Sequence, residues 1–212
     1  MPLEPADSPL AGRHPFSVAT RHVRIVSLTA SDLGRIDVPP GFGAIVRSAD
    51  LRGVLARVLD LGGAVTAGCA DGVLAGYATD LPFVPVFYAG RRVERPWDDL
   101  PQVREFGSIE VAPQFRRAKV AEALLAAMVA DGRLDDSIVI GEALASHWDL
   151  RGSGLGVWQY RAALLRLFQQ AGFQPFHTTQ PETALDPASF LIARIGARTS
   201  HESRSAFLAR LH

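Results

Sequence analysis

Apolar and polar residues alternate over residues 22–28 ("HVRIVSL"), as they do on a strand with one buried face. Across residues 44–61 the period lengthens. Ile45, Val46, Leu51, Val54, Leu55, Val58 and Leu59 recur at spacings of three and four, which predicts an amphipathic helix or a broken pair of helices. "AVTAGCADGVLAGYATD" reads as two strands joined through Asp71 and Gly72, a pair that tolerates the positive φ angles of a tight hairpin. Residues 81–101, "LPFVPVFYAGRRVERPWDDLP", carry four prolines and a basic cluster, so a long excursion is expected before the strand "VREFGSIEV". A helix over residues 118–132 follows. Then come a strand in "DSIVIGEAL", a loop "ASHWDLRGSG", a helix over residues 157–171 ended by Gly172, and strands near "PFHTT" and "FLIARI". This order suits the α/β (α+β) class, a mixed sheet with helices on both faces. The proline-rich residues 1–18 are expected to be a flexible arm, and residues 19–212 one domain.

Composition narrows the function classes. The chain of 212 residues is 48% hydrophobic, enough for a sizeable core. Its 22 basic and 22 acidic residues balance, which argues against a broad nucleic-acid footprint or an acidic membrane surface as partner. No apolar run approaches the ~20 residues that span a bilayer, and no signal-peptide pattern opens the chain, so a cytoplasmic protein is expected, a monomer or homodimer. The single Cys69 can form neither an internal disulfide nor a cysteine-based zinc site and reads as a small core residue. The six histidines are scattered without ligand spacing, so no metal is expected.

The chemistry concentrates in "IEVAPQFRRAKVAEALL", where a strand turns at Pro113, shows three basic residues in four positions and becomes a helix. A helix amino terminus exposes unpaired amides and the positive end of the helix dipole, a site suited to an anion such as a pyrophosphate. The stretch resembles the acyl-CoA motif of the GCN5-related N-acetyltransferases (GNAT), V-x-P-x-[YF]-R leading into R/Q-x-x-G-x-G/A. Arg116, Lys119 and Ala121 take the first, fourth and sixth places, and Lys119 stands where the family usually has glycine. A closer resemblance is to the acetoin-utilisation acetyltransferase (AcuA) family. It runs from the Asp71-Gly72 hairpin to near the carboxyl terminus through "EFGSIEVAPQFRRAKVAEALL", "HWDLRGSGLGVWQYR" and "ARIGARTSHES".

The resemblance implies a GNAT fold, its mixed central β-sheet splayed at the middle, with acetyl-CoA as cosubstrate. Contacts to it are implied for Ile109, Val111, Arg116, Arg117, Ala118, Lys119, Val120 and Ala121. The Lys119 ammonium either pairs with a CoA phosphate or lies along the surface while only its amide makes contact. The implied reaction is Nε-acetylation of a lysine on an acetyl-CoA synthetase, which would inactivate that enzyme. Alternatives are acetylation of a small amine, and acyl-CoA binding without catalysis.

Removing the acceptor's proton needs a carboxylate, and Glu105 and Glu110 lie on the motif strand. Five residues apart, they fall on opposite faces of a regular strand, whereas a β-bulge permitted by Gly107 would return them to one face. Counted back from the loop, Glu105 matches the family's catalytic glutamate. Many relatives place a tyrosine where Phe168 stands; Tyr160, two turns earlier, is a substitute only if its helix enters the site differently. His147, Trp148, Asp149 and Arg151 follow the central strand on the edge where ligands collect, and are expected to shape the acceptor side, with His147 bonded to Asp149 or backbone. With residues 81–101, and with Trp97, Trp148 and Trp158 as interface residue types, that loop is the expected docking surface. "SHES" (Ser200 to Ser203) holds the residue types of a hydrolase triad, but neighbouring side chains point apart and no nucleophile elbow is present.

Overall fold

A computed structural model describes residues 18–19, 22–83, 86–88, 91–93, 95–100 and 102–211. The expected arm lies outside these residues except for Val18, which opens the first strand. In chain order the elements are β1 (Val18–Ala19), β2 (His22–Leu28), α1 (Ala30–Leu33), α2 (Ser48–Asp60), β3 (Ala64–Ala70) and β4 (Val73–Pro82). A small hairpin, β5 (Val86–Tyr88) and β6 (Arg91–Val93), lies within the excursion. Then follow β7 (Val103–Val111), α3 (Val120–Ala130), β8 (Ile138–Ala143), α4 (Leu150–Ser153) and α5 (Val157–Gln170). The chain finishes with β9 (Gln174–Phe176), α6 (Pro181–Ala184), β10 (Phe190–Ile195) and α7 (His201–Leu208).

Local chemistry sets several boundaries. The β3–β4 hairpin turns through Asp71 (φ 51°) and Gly72 (φ 80°), as the Asp-Gly pair predicts. Helix α2 starts at Ser48 and not at residue 44, because the Gly43 and Ala44 amides are held instead by the Glu110 carboxylate. Helix α3 starts at Val120 because Arg117 (φ 63°) and Lys119 (φ 56°) are left-handed, which interrupts a right-handed helix. Ser200 accepts a hydrogen bond from the Ser203 amide at 3.1 Å and caps α7, so "SHES" is a helix start and not a triad.

The main sheet runs β1-β2-β3-β4-β7-β8-β10-β9, with β7 and β8 its parallel pair. That pair is joined only from Val103–Glu105 to Ile138–Ile140, and the remainder of both strands diverges. The sheet is therefore open at its middle. Side chains alternate across β8 and β10: Val139, Phe190 and Ile192 join the core that includes α3 and α5, while Ile138, Ile140, Leu191 and Ala193 pack with Phe207 of α7. Helices thus cover both faces. Trp97 belongs to the second cluster, against Phe207 and Phe83 at ring distances of 6.4 Å.

A bulge decides which side of β7 faces the opening. Ser108 pairs with Thr79 and Phe106 with Asp80, which leaves Gly107 as the extra residue. Glu105, Ser108 and Glu110 consequently oppose Leu81, Thr79 and Tyr77, alternate positions of β4 that share one face. A Cβ at Gly107 would come within 2.7 Å of Thr79 Oγ1, so glycine is needed for close approach. Beside the bulge the fully buried Asp80 accepts from Arg104 Nη2 (2.7 Å) and Arg133 Nη1 (2.8 Å), tying the end of α3 to the sheet.

Candidate functional site

Where β7 and β8 part, a cavity of about 440 Å³ opens. Glu105 to Val111 line one wall and Ile140 to Leu144 the other. Arg116 and Ala121 stand at one end, Arg95 and Trp97 line the Glu105 end, and Trp148, Asp149 and Tyr160 are among the remaining lining residues.

At the first end the turn after Pro113 leads into α3. Lys119 has the backbone conformation that glycine usually supplies, and its side chain is exposed. No side chain caps α3 among the described residues, so its first amides are without side-chain acceptors. Arg116 Nη1 is bound to Asp149 Oδ2 at 2.7 Å. Asp149 also accepts from the Gly152 amide at 2.8 Å, and these donors, the amide first, hold its carboxyl below the usual carboxylate range. A side chain on Gly152 would collide with both members of the pair, so the loop and the turn before α3 close against each other only with glycine there. Trp148 stacks on Tyr160 at 5.3 Å and 18°, and burial raises the Tyr160 phenol above its ordinary value, keeping it protonated near neutrality.

The two carboxylates differ in their surroundings. Glu110, 7% exposed, accepts at Oε1 from the Gly43 (2.9 Å) and Ala44 (3.0 Å) amides and at Oε2 from the Tyr77 hydroxyl (3.3 Å). Both its oxygens are occupied. Burial first, and then the Glu110 charge, push the Tyr77 phenol well up, so it stays a donor. Glu105 accepts from Arg95 Nη1 at 3.2 Å and has no other hydrogen bond among the described residues.

No family model matches the chain. An acetoin utilization protein AcuA from Bacillus licheniformis is 39% identical over 103 residues, 49% of each chain, so the match spans about half the length of that curated relative. The crystal structure of an acetoin utilization protein from Exiguobacterium sibiricum superposes with a TM-score of 0.83 at 29% identity, over 92% of this chain and 90% of that one. The chain is AcuA-like and has the GNAT fold. A candidate acetyltransferase from Acinetobacter baylyi shares the fold alone, at 14% identity and a TM-score of 0.51 over 84% of this chain and 93% of that one.

In this AcuA-like chain the cavity gathers Glu105, Ile109, Glu110, Val111, Arg116, Ala121, His147, Trp148, Asp149 and Tyr160 from the residues singled out in the sequence. Arg117, Lys119 and Arg151 are exposed outside the lining, Ala118 is half-buried, and the Val120 side chain is core. Two expectations need correction. Asp149 is bonded to Arg116 and not to His147, because the turn before α3 brings a guanidinium to it. Trp97 is 2% exposed and serves as core, since the excursion folds back onto α7; it is no docking residue. Phe168, which has no hydroxyl to offer, is core, edge-on to Phe106 at 5.5 Å, in keeping with the sequence reading. Arg95 and Phe83 were not anticipated, although both lie in the excursion expected to form the acceptor side. Cys69 is buried and its thiol pushed up to about 11 by burial, in keeping with a core role.

Proposed function

We propose that the chain is an acetyl-CoA-dependent protein lysine Nε-acetyltransferase that acts on, and inactivates, an acetyl-CoA synthetase. The observation that carries this reading is a single cavity in the opening of the sheet, with an uncapped helix amino terminus at one end and an accessible carboxylate at the other. Likeness to acetoin utilization proteins supports it.

The residues at the first end fit a pyrophosphate. The amides from Arg116 to Ala121 would hold it, the Ala121 methyl leaves room, and the left-handed Lys119 allows the backbone to approach. Acetyl-CoA supplies the acetyl group as a thioester. Glu105 takes a proton from the acceptor amine as its nitrogen bonds to the acetyl carbon; the carbon–sulfur bond breaks, and water or the Tyr160 hydroxyl protonates the departing thiolate. Glu110 holds the Gly43–Ala44 backbone to the cavity wall. Trp158 is 59% exposed at the start of α5, two residues before the cavity-lining Tyr160, and the exposed Leu155 precedes it; with Arg151 they offer a docking patch for a folded acceptor.

Acetylating a lysine removes its charge, so a synthetase lysine that orients substrate would lose that contact. The test is incubation of the purified pair with labelled acetyl-CoA, followed by peptide mass spectrometry and a synthetase assay. Label on one synthetase lysine with loss of synthetase activity is expected. Label only on small amines, or none on the synthetase, would overturn the partner assignment, and stabilisation by acetyl-CoA without any transfer would overturn catalysis.

A further inference from the structure

We propose that Arg95 is a positioning residue for the Glu105 carboxylate; this rests on the reading of Glu105 as the group that takes the acceptor's proton. Arg95 follows the small β5–β6 hairpin and is held on three sides. Its Nε donates to Asp98 Oδ1 at 2.8 Å, its guanidinium lies 4.1 Å from the Phe83 ring centre, and its Nη1 donates to Glu105 Oε2 at 3.2 Å. Trp97, between the two members of the Arg95–Asp98 pair, is buried against Phe207 and fixes the turn to α7.

The geometry separates this contact from an ordinary ion pair. Asp98 already gives the guanidinium a carboxylate, and its side chain is 10% exposed against 16% for Arg95. Glu105 is 35% exposed and faces the cavity, so a pair with it contributes little to stability. What the contact supplies is orientation. A glutamate on a strand has three side-chain torsions, and with Oε2 on Arg95 the carboxylate is fixed while Oε1 has no partner among the described residues. Glu110, on the same face, shows the alternative, a carboxylate whose oxygens are both closed. The other titratable groups lining the cavity are Glu142, His147, Tyr160 and the Arg116–Asp149 pair.

The experiment compares wild type, Arg95→Ala, Arg95→Lys, Asp98→Asn and Glu105→Gln in steady-state acetyl transfer, with the acetyl-CoA dissociation constant and the melting temperature of each. A freed base should lower kcat of Arg95→Ala by ~10- to 100-fold, with both KM values near wild type. Arg95→Lys should recover part of kcat, and millimolar guanidinium ion should partly restore Arg95→Ala. Asp98→Asn, changed outside the cavity lining, should lower kcat less than Arg95→Ala. If Arg95→Ala fails to fold, the lysine and asparagine variants carry the test, and wild-type kcat in both sinks the proposal. An inactive Glu105→Gln beside an Arg95→Ala of wild-type kcat overturns the positioning role and leaves the base in place. So does a loss in Arg95→Ala explained by a lower melting temperature and weaker acetyl-CoA binding. Wild-type turnover in Glu105→Gln removes the base assignment, and the Arg95 proposal with it.

Discussion

The two ends of the cavity are built from different material. At the α3 end the main chain dominates: Arg117 and Lys119 are left-handed, the first α3 amides are uncapped, and the guanidinium in the lining there, Arg116, is committed to Asp149. At the Glu105 end the features are side chains from separate segments, with Phe83, Arg95 and Trp97 arriving from the excursion and Glu105 from β7. An end made of backbone is sensitive to bulk and to φ preference. An end made of side chains is sensitive to charge and to hydrogen-bond partners. The same cavity should therefore respond to opposite kinds of substitution at its two ends.

Bulk at the α3 end should give the largest effect on binding. Ala121→Trp is expected to weaken acetyl-CoA by ~100-fold or more, about 2.8 kcal/mol, measured by titration calorimetry with circular dichroism to confirm folding. Wild-type affinity in a folded variant would place the cosubstrate elsewhere. Between the ends lies the bulge. Gly107→Ala brings a methyl against Thr79 Oγ1 and should cost about 1–3 kcal/mol by urea unfolding, with a fall in turnover as Glu105 and Glu110 shift apart. An unaltered midpoint with unaltered turnover would show that the bulge does not set the face. The smallest effect is expected from Lys119→Gly. Relief of a left-handed L-residue, ~1–2 kcal/mol, is offset by the ~0.5–1 kcal/mol that glycine loses in chain entropy, leaving a slight stabilisation. Since the Lys119 side chain is exposed, acetyl-CoA affinity should change by less than about 1 kcal/mol. A greater loss would make the ammonium part of the site.

This contrast also accounts for what could be read from the chain. The α3 end was legible because its requirements are local: Pro113, the basic turn and the small Ala121 are contiguous and lead directly into an apolar helix. Gly107 was informative for the same reason, since a glycine inside a strand between two carboxylates has few structural uses. The Glu105 end was legible only in part. That the excursion serves the cavity followed from its length, but the meeting of Arg95 with Glu105 depends on how residues 95–100 return against α7. Helix α7 itself was hidden, because its one fully buried side chain, Phe207, has value only through Trp97 and Phe176. The Arg116–Asp149 pair was missed on similar grounds, as it joins two turns 33 residues apart in sequence that each looked self-sufficient.

The central claim is that of two carboxylates turned to one face, Glu105 is open to an acceptor proton and Glu110 is closed by its donors. Single-turnover acetyl transfer from bound acetyl-CoA in Glu105→Gln and Glu110→Gln, with the dissociation constant of each, tests it most directly. The account predicts that Glu105→Gln binds acetyl-CoA as wild type does and transfers it ~10²- to 10⁴-fold more slowly, while Glu110→Gln loses stability and keeps transfer. Rapid transfer by Glu105→Gln beside an inactive, folded Glu110→Gln would contradict it.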